Sequence, residues 1–115
     1  MSHILLVDDN DTLREELTRE FRVDGHTVTP VSNLGSALTE AKHLSEDSVV
    51  VTDKNLGGHR GITPFLDYLQ NEKPDVRVII FSGEISTYAQ KELYCHYTLT
   101  KGSSDLDRLY ELVKR

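Results

Sequence analysis

Five short apolar runs, His3 to Val7, Thr27 to Val31, Val49 to Thr52, Arg77 to Phe81 and Tyr97 to Thr100, alternate with stretches of helical periodicity. This alternation constrains the chain more than any other feature. Parallel neighbouring strands need a crossover connection between them, and a helix is the usual way to make one, so the pattern reads as a parallel sheet covered by helices on both faces. Strands buried on both faces become continuously apolar, as Val49-Val50-Val51 and Val78-Ile79-Ile80 do. Leu13, Leu17 and Phe21 line one helical face, and Leu34, Ala37, Leu38, Ala41 and Leu44 line a second. Ile62, Phe65, Leu66 and Leu69 stand at i, i+3, i+4 and i+7, as do Leu106, Leu109, Tyr110 and Val113. A shorter helix is expected around Ile85, Tyr88, Ala89 and Leu93, fourth of five in chain order.

Punctuation falls where this division needs it. Asp24-Gly25 can stop the first helix, Asn33 can cap the second, and Lys73-Pro74-Asp75 separates the third from the next strand. With 115 residues and no linker, repeat or low-complexity tract, residues 1–115 are expected to form one domain with one compact core. The formal charge of −6 argues against direct nucleic-acid binding, which usually needs a basic face. Apolar runs such as Ile4 to Val7 are too short to span a bilayer, so no membrane role is expected. The amino terminus turns acidic where a signal peptide would continue apolar, and the single Cys95 cannot close an internal disulfide, which points to the cytoplasm.

In open parallel sheets, chemistry collects beyond the carboxyl ends of the strands. There stand Asp8 and Asp9 after the first strand, Asp53 after the third, Ser82 after the fourth and Lys101 after the fifth. Taken singly, each has an ordinary reading. Asp8, Asp9, Asn10 and Asp11 can cap the first helix, Asp53 can be a turn residue, Ser82 a cap ahead of Glu84, and Lys101 a solvated cation. Taken together, three carboxylates at one sheet edge repel one another and call for a cation. Mg²⁺ fits, since it takes oxygen ligands and commonly uses one or two carboxylates plus phosphate oxygens. Asp53 is then a candidate nucleophile toward a phosphoryl group, with Lys101 and Ser82 compensating charge.

The ordered strings ILLVDDN, VVVTDKNLGGHRG, VIIFSG and TLTKG resemble the receiver domains of two-component response regulators over the whole chain. The resemblance implies an α/β, flavodoxin-like, doubly wound fold: a five-stranded parallel sheet in the order 2-1-3-4-5 with five helices. It implies that Asp53 is the phosphoacceptor, Asp9 a direct Mg²⁺ ligand, Asp8 an acidic neighbour acting through water, and the backbone carbonyl of Asn55 a further ligand. Ser82 matches the switch hydroxyl, Lys101 the lysine that pairs with phosphoryl oxygens, and Gly61 the glycine ending the loop after the acceptor strand. Asn55 and Glu84 match positions that tune loss of the phosphoryl group, and polar side chains there imply a short-lived phosphoprotein.

The implied function is a signalling switch that catalyses only its own phosphorylation and dephosphorylation. It would take its phosphoryl group from a histidine kinase or histidine phosphotransfer protein. A downstream protein would read the face built by the fourth expected helix, the fifth strand and the fifth expected helix. Some positions differ from the family pattern. Gly102 stands where proline usually follows the lysine, Leu56-Gly57 replaces Met-Pro, and Thr98 occupies the aromatic switch position, with Tyr97 one place earlier on the opposite strand face. Two alternatives remain: a degenerate receiver serving as a phosphorylation-independent interaction module, and an aspartate-nucleophile phosphohydrolase. Against the second, Asn55 stands where such an enzyme would carry its acid/base carboxylate.

Overall fold

The computed structural model describes residues 2–54, 56, 61–83, 93–101 and 103–114. Its elements run β1 (His3–Val7), α1 (Asp11–Val23), β2 (Thr27–Val31), α2 (Leu34–Ala41), β3 (Val49–Thr52), α3 (Thr63–Glu72), β4 (Arg77–Ser82), β5 (Tyr97–Thr100) and α4 (Ser103–Val113). The strands form one parallel sheet in the order β2-β1-β3-β4-β5, as expected. The described residues hold four helices, not five, because the expected helix around Ile85 to Leu93 falls largely on residues 84–92, outside those described. β4 runs one residue further than its apolar run, since Ser82 pairs with Thr100 of β5.

Strand parity explains why the runs are apolar throughout. Successive side chains point to opposite faces. Leu5, Val7, Val50, Val78 and Ile80 pack against Ala37 and Ala41 of α2 and Phe65, Leu66 and Leu69 of α3. Their neighbours Ile4, Leu6, Val49, Val51, Ile79 and Phe81 pack on the other face against Leu17 and Phe21 of α1 and Leu109 and Val113 of α4. Each fully buried aliphatic or aromatic side chain contributes about 1.5–3 kcal/mol, so the two layers together hold the sheet in a single register.

Local chemistry sets the element ends. Asn10 Oδ1 accepts from the Leu13 N–H at 3.0 Å and starts α1. Asn33 does the same for Ser36 in α2, at 2.8 Å. Gly25 follows α1 with φ of 92°, a conformation open to glycine and costly for a residue with a Cβ. The Lys73 ammonium donates to the Leu44 carbonyl at 2.9 Å and so ties the end of α3 to the loop after α2. Pro30 lies in the edge strand β2, the part of a parallel sheet that tolerates a missing N–H.

His26, in the turn entering β2, is only 8% exposed. Its Nδ1 accepts from the Ser2 N–H at 3.3 Å, while Nε2 has no hydrogen-bond partner among the described residues. Burial holds the imidazole below its ordinary pKa of 6.5. A folded-state pKa below the unfolded value means that the unfolded chain binds the proton more readily. The stability associated with neutral His26 is therefore fully present above the ordinary value and is lost as pH falls through the depressed one. Urea denaturation of wild type from pH 8 to pH 5 should show this loss. In His26→Asn, whose Oδ1 can replace Nδ1 as acceptor, that part of the pH slope should vanish; identical slopes in the two proteins would remove His26 as its source.

Candidate functional site

Three hydrogen bonds carry the parallel ladder one residue past the strands and level their carboxyl ends. Asp8 N–H donates to the Val31 carbonyl (3.1 Å), Asp53 N–H to that of Val7 (3.0 Å), and Lys101 N–H to that of Ser82 (2.8 Å). Residues from β1, β3, β4 and β5 thereby reach one edge. Asp8, Asp53 and Ser82 are buried there, and Asp9 is exposed beside them.

The side chains form a connected network. Lys101 Nζ lies 2.8 Å from Asp8 Oδ2 and 2.8 Å from Asp53 Oδ2. The Ser82 hydroxyl donates to Asp53 Oδ1 at 2.9 Å. Asp8 Oδ1 accepts the Asn10 N–H at 2.9 Å. The ordinary readings of Asp8 and Lys101 do not survive, since Asn10 caps α1 and Lys101 reaches inward; Ser82 faces the carboxylate, and the residues it was expected to cap lie outside those described. Burial by itself pushes the Lys101 ammonium down, but its hydrogen bonds to Asp53 and Asp8 and their negative charges outweigh this and raise its pKa.

One carboxylate oxygen from each of Asp8, Asp9 and Asp53 can be chosen so that all three lie within 4.8 Å. One ammonium offsets only one of three carboxylates, and an all-oxygen donor set suits a hard divalent cation such as Mg²⁺. The expected backbone ligand at Asn55 and the tuning residue Glu84 lie outside the described residues, as does Gly102. Gly61 closes the loop after β3 with φ of 57°, while Leu56 turns into the core on the α2–α3 face.

Tyr97 packs with the core on the α1–α4 face, so Thr98, next along β5, points to the opposite one. Tyr94 packs on the α2–α3 face, and Tyr88 lies outside the described residues. The histidines serve scattered local contacts among the described residues: His3 with the Thr29 hydroxyl, His26 with Ser2, and His96 accepting from the Val78 N–H.

Two residues near the site escaped the sequence reading. Arg14 donates to the Asp8 carbonyl at 2.8 Å and to Asp11 Oδ1 at 2.6 Å, anchoring the loop between β1 and α1. Its i, i+3 spacing from Asp11 was the only sequence signal. Asp105 accepts the Thr100 N–H at 2.8 Å, a contact between residues that no spacing rule pairs. A groove of about 760 Å³ runs along α1 beside Arg14, Thr18, Arg22 and Pro30 and includes none of the clustered carboxylates.

The chain matches the response regulator receiver domain family over residues 4–114. Among solved structures it is similar to the Thermotoga maritima response regulator TrrA, determined in complex with Mg(2+)-BeF, with a TM-score of 0.81 and 24% identity over 99% of this chain and 97% of that one. It is similar to the Vibrio cholerae chemotaxis protein CheY4 (TM-score 0.81, 20% identity, 98% of each chain). A two-component response regulator from Clostridium difficile gives a TM-score of 0.85 at 14% identity, over 99% of this chain and 93% of that one. At such identities these structures establish likeness of fold. No curated protein matches the chain.

Lys101 is the cation already resident among the carboxylates, so its removal has two expected effects. Lys101→Met should destabilise the metal-free protein by roughly 3 kcal/mol, because Asp8 and Asp53 stay buried without their partner. It should also raise Mg²⁺ affinity by about tenfold, equivalent to about 1.4 kcal/mol, since the ion no longer competes with an ammonium. Denaturation with and without Mg²⁺, alongside a direct titration, measures both; weaker Mg²⁺ binding in the variant would contradict the competition.

Proposed function

Because this chain belongs to the response regulator receiver-domain family, we propose that it is a phosphoacceptor switch in which Asp53 takes a phosphoryl group from a phosphohistidine. The observation that carries this reading is the convergence of Ser82 and Lys101 on the two oxygens of one buried carboxylate, Asp53.

In the transfer, an oxygen of Asp53 attacks phosphorus and forms the O–P bond. The N–P bond of the phosphohistidine breaks, and its electron pair returns to the imidazole nitrogen. The charge that must be stabilised sits on the phosphoryl oxygens, and the two groups now held by Asp53 are those suited to follow it. The Lys101 ammonium can pass from the carboxylate to a phosphoryl oxygen, and the Ser82 hydroxyl can donate to another. Mg²⁺ held by Asp8, Asp9 and Asp53, with the Asn55 carbonyl as a further ligand, would neutralise the excess acidic charge and the incoming phosphoryl charge. Asp8, fixed by the Asn10 N–H and the Arg14 anchor, keeps its carboxylate aimed at the site throughout.

On this reading residues 1–115 are one receiver domain and catalyse only their own phosphorylation and its reversal. The donor is a histidine kinase or phosphotransfer protein. The output is a change in binding at the face that includes β5 and α4. Ser82 and Lys101 each follow or end a strand adjoining that face, so their movement on phosphorylation would bias it. Among the described residues no helix is long and apolar enough to cross a membrane, and a cytoplasmic location goes with the reading. The complete acidic, hydroxyl and lysine network weighs against a degenerate receiver.

Intact mass after incubation with Mg²⁺ and acetyl phosphate tests the assignment. Wild type should gain one phosphoryl group, and folded Asp53→Asn should gain none; a labelled Asp53→Asn protein would refute it. Asp9→Ala should slow labelling more than Asp8→Ala if Asp9 is the direct ligand. The decay of the labelled protein bears on Asn55 and Glu84. Bulky apolar replacements there should exclude water and lengthen the lifetime, whereas unchanged decay in both variants would remove them from that role.

A further inference from the structure

We propose that Asp105 is a positioning residue for Lys101, setting the direction in which the lysine leaves β5 and so its reach to Asp8 and Asp53. The inference rests on the reading of Lys101 given above. β5 is an edge strand, hydrogen-bonded to β4 on one side only. Lys101 N–H turns inward to the Ser82 carbonyl at 2.8 Å. Backbone groups alternate in direction along a strand, so the Thr100 N–H turns outward, away from β4. There Asp105 Oδ2, from the first turn of α4, accepts it at 2.8 Å.

The two peptide units flanking Thr100 are thus held from opposite sides, one by β4 and the other by α4. Together they fix φ and ψ of Thr100 and with them the position of the Lys101 Cα. The next residue is Gly102, which adds no stiffness of its own, whereas a proline there would lock a backbone angle. Among the described residues a restraint acts one step before Lys101, through the Asp105 side chain. A carboxylate accepting a backbone N–H makes a charge-assisted bond, stronger than the neutral one it replaces. It also covers the open edge of β5 at the point where the strand gives way to the site loop.

The test follows the ammonium itself. In ¹⁵N-labelled, metal-free protein, the Lys101 NH₃⁺ group, bound to two carboxylates, should give a resolved signal through slowed exchange with water. That signal is assigned by its loss in Lys101→Met. Asp105→Ala should broaden or abolish it, and Asp105→Asn should restore it, because the amide oxygen can accept the same N–H. Mg²⁺ titration supplies a second readout. Asp105→Ala should raise Mg²⁺ affinity several-fold in the wild-type background, where a loosened ammonium competes less. In the Lys101→Met background it should have no effect.

An unchanged lysine signal in Asp105→Ala, or an equal shift in Mg²⁺ affinity in both backgrounds, would reduce Asp105 to a helix-end residue and overturn the proposal. Neither measurement involves phosphorylation. Failure of the phosphoacceptor reading would appear in the labelling of Asp53 instead, with the lysine signal untouched.

Discussion

The Lys101 ammonium lies between two buried carboxylates, 2.8 Å from an oxygen of each, and offsets their negative charge. Asp8 and Asp53 come from adjacent strands β1 and β3, whereas Lys101 follows β5, two strands beyond β3. At about 4.8 Å per strand spacing, the Lys101 backbone lies roughly 10 Å from that of Asp53. Only a long side chain crosses this distance, and crossing it joins one edge of the sheet to its centre. An isolated surface pair would contribute little. Here both acids are almost fully buried, so the pair decides whether the carboxyl edge of the sheet is tolerable at all.

The rest of the structure keeps that contact in register. Packing on the α2–α3 face and on the α1–α4 face fixes each strand from both sides. A one-residue slip of any central strand would exchange its two faces and carry its terminal side chain away from the edge. Within that frame, the acidic side of the site is doubly secured. The Asn10 N–H holds the Asp8 side chain, and Arg14 holds its carbonyl. The lysine side begins at an edge strand and is held there by the bond from the Thr100 N–H to Asp105. On the proposed reading, such a site is rigid where the nucleophile and cation ligands are positioned, and adjustable where a group follows the incoming charge.

The same division explains why a receiver can carry Thr98 and Gly102 at positions where its family usually has an aromatic residue and proline. Tyr97 is committed to the core on the α1–α4 face and is no substitute for an aromatic residue at Thr98. On the proposed reading, the groups placed to respond to a phosphoryl group are Ser82 and Lys101 themselves, each already hydrogen-bonded to the Asp53 carboxylate. The same reading routes the signal to the surface through movement of the β4 and β5 ends more than through rotation of a ring.

The sequence determined the strand–helix alternation, the sheet class and which polar residues stand at the strand ends, because these rest on local periodicity and on where polar residues interrupt apolar runs. Val49 to Thr52 followed by Asp53, or Val78 to Phe81 followed by Ser82, carries that information within a few positions. The caps at Asn33 and Gly25 were legible for the same reason. Tertiary structure alone decided the pairings. Nothing local distinguishes Lys101 as an inward-reaching cation from a solvated one, or Ser82 as a partner of Asp53 from a cap. Each choice depends on strands brought side by side from positions 29 or 48 apart along the chain. The bonds of Arg14 to the Asp8 carbonyl and of Asp105 to the Thr100 N–H were invisible for a related reason: these partners are backbone atoms, which every residue carries and no sequence pattern marks, so only the folded path of the chain could bring them within reach.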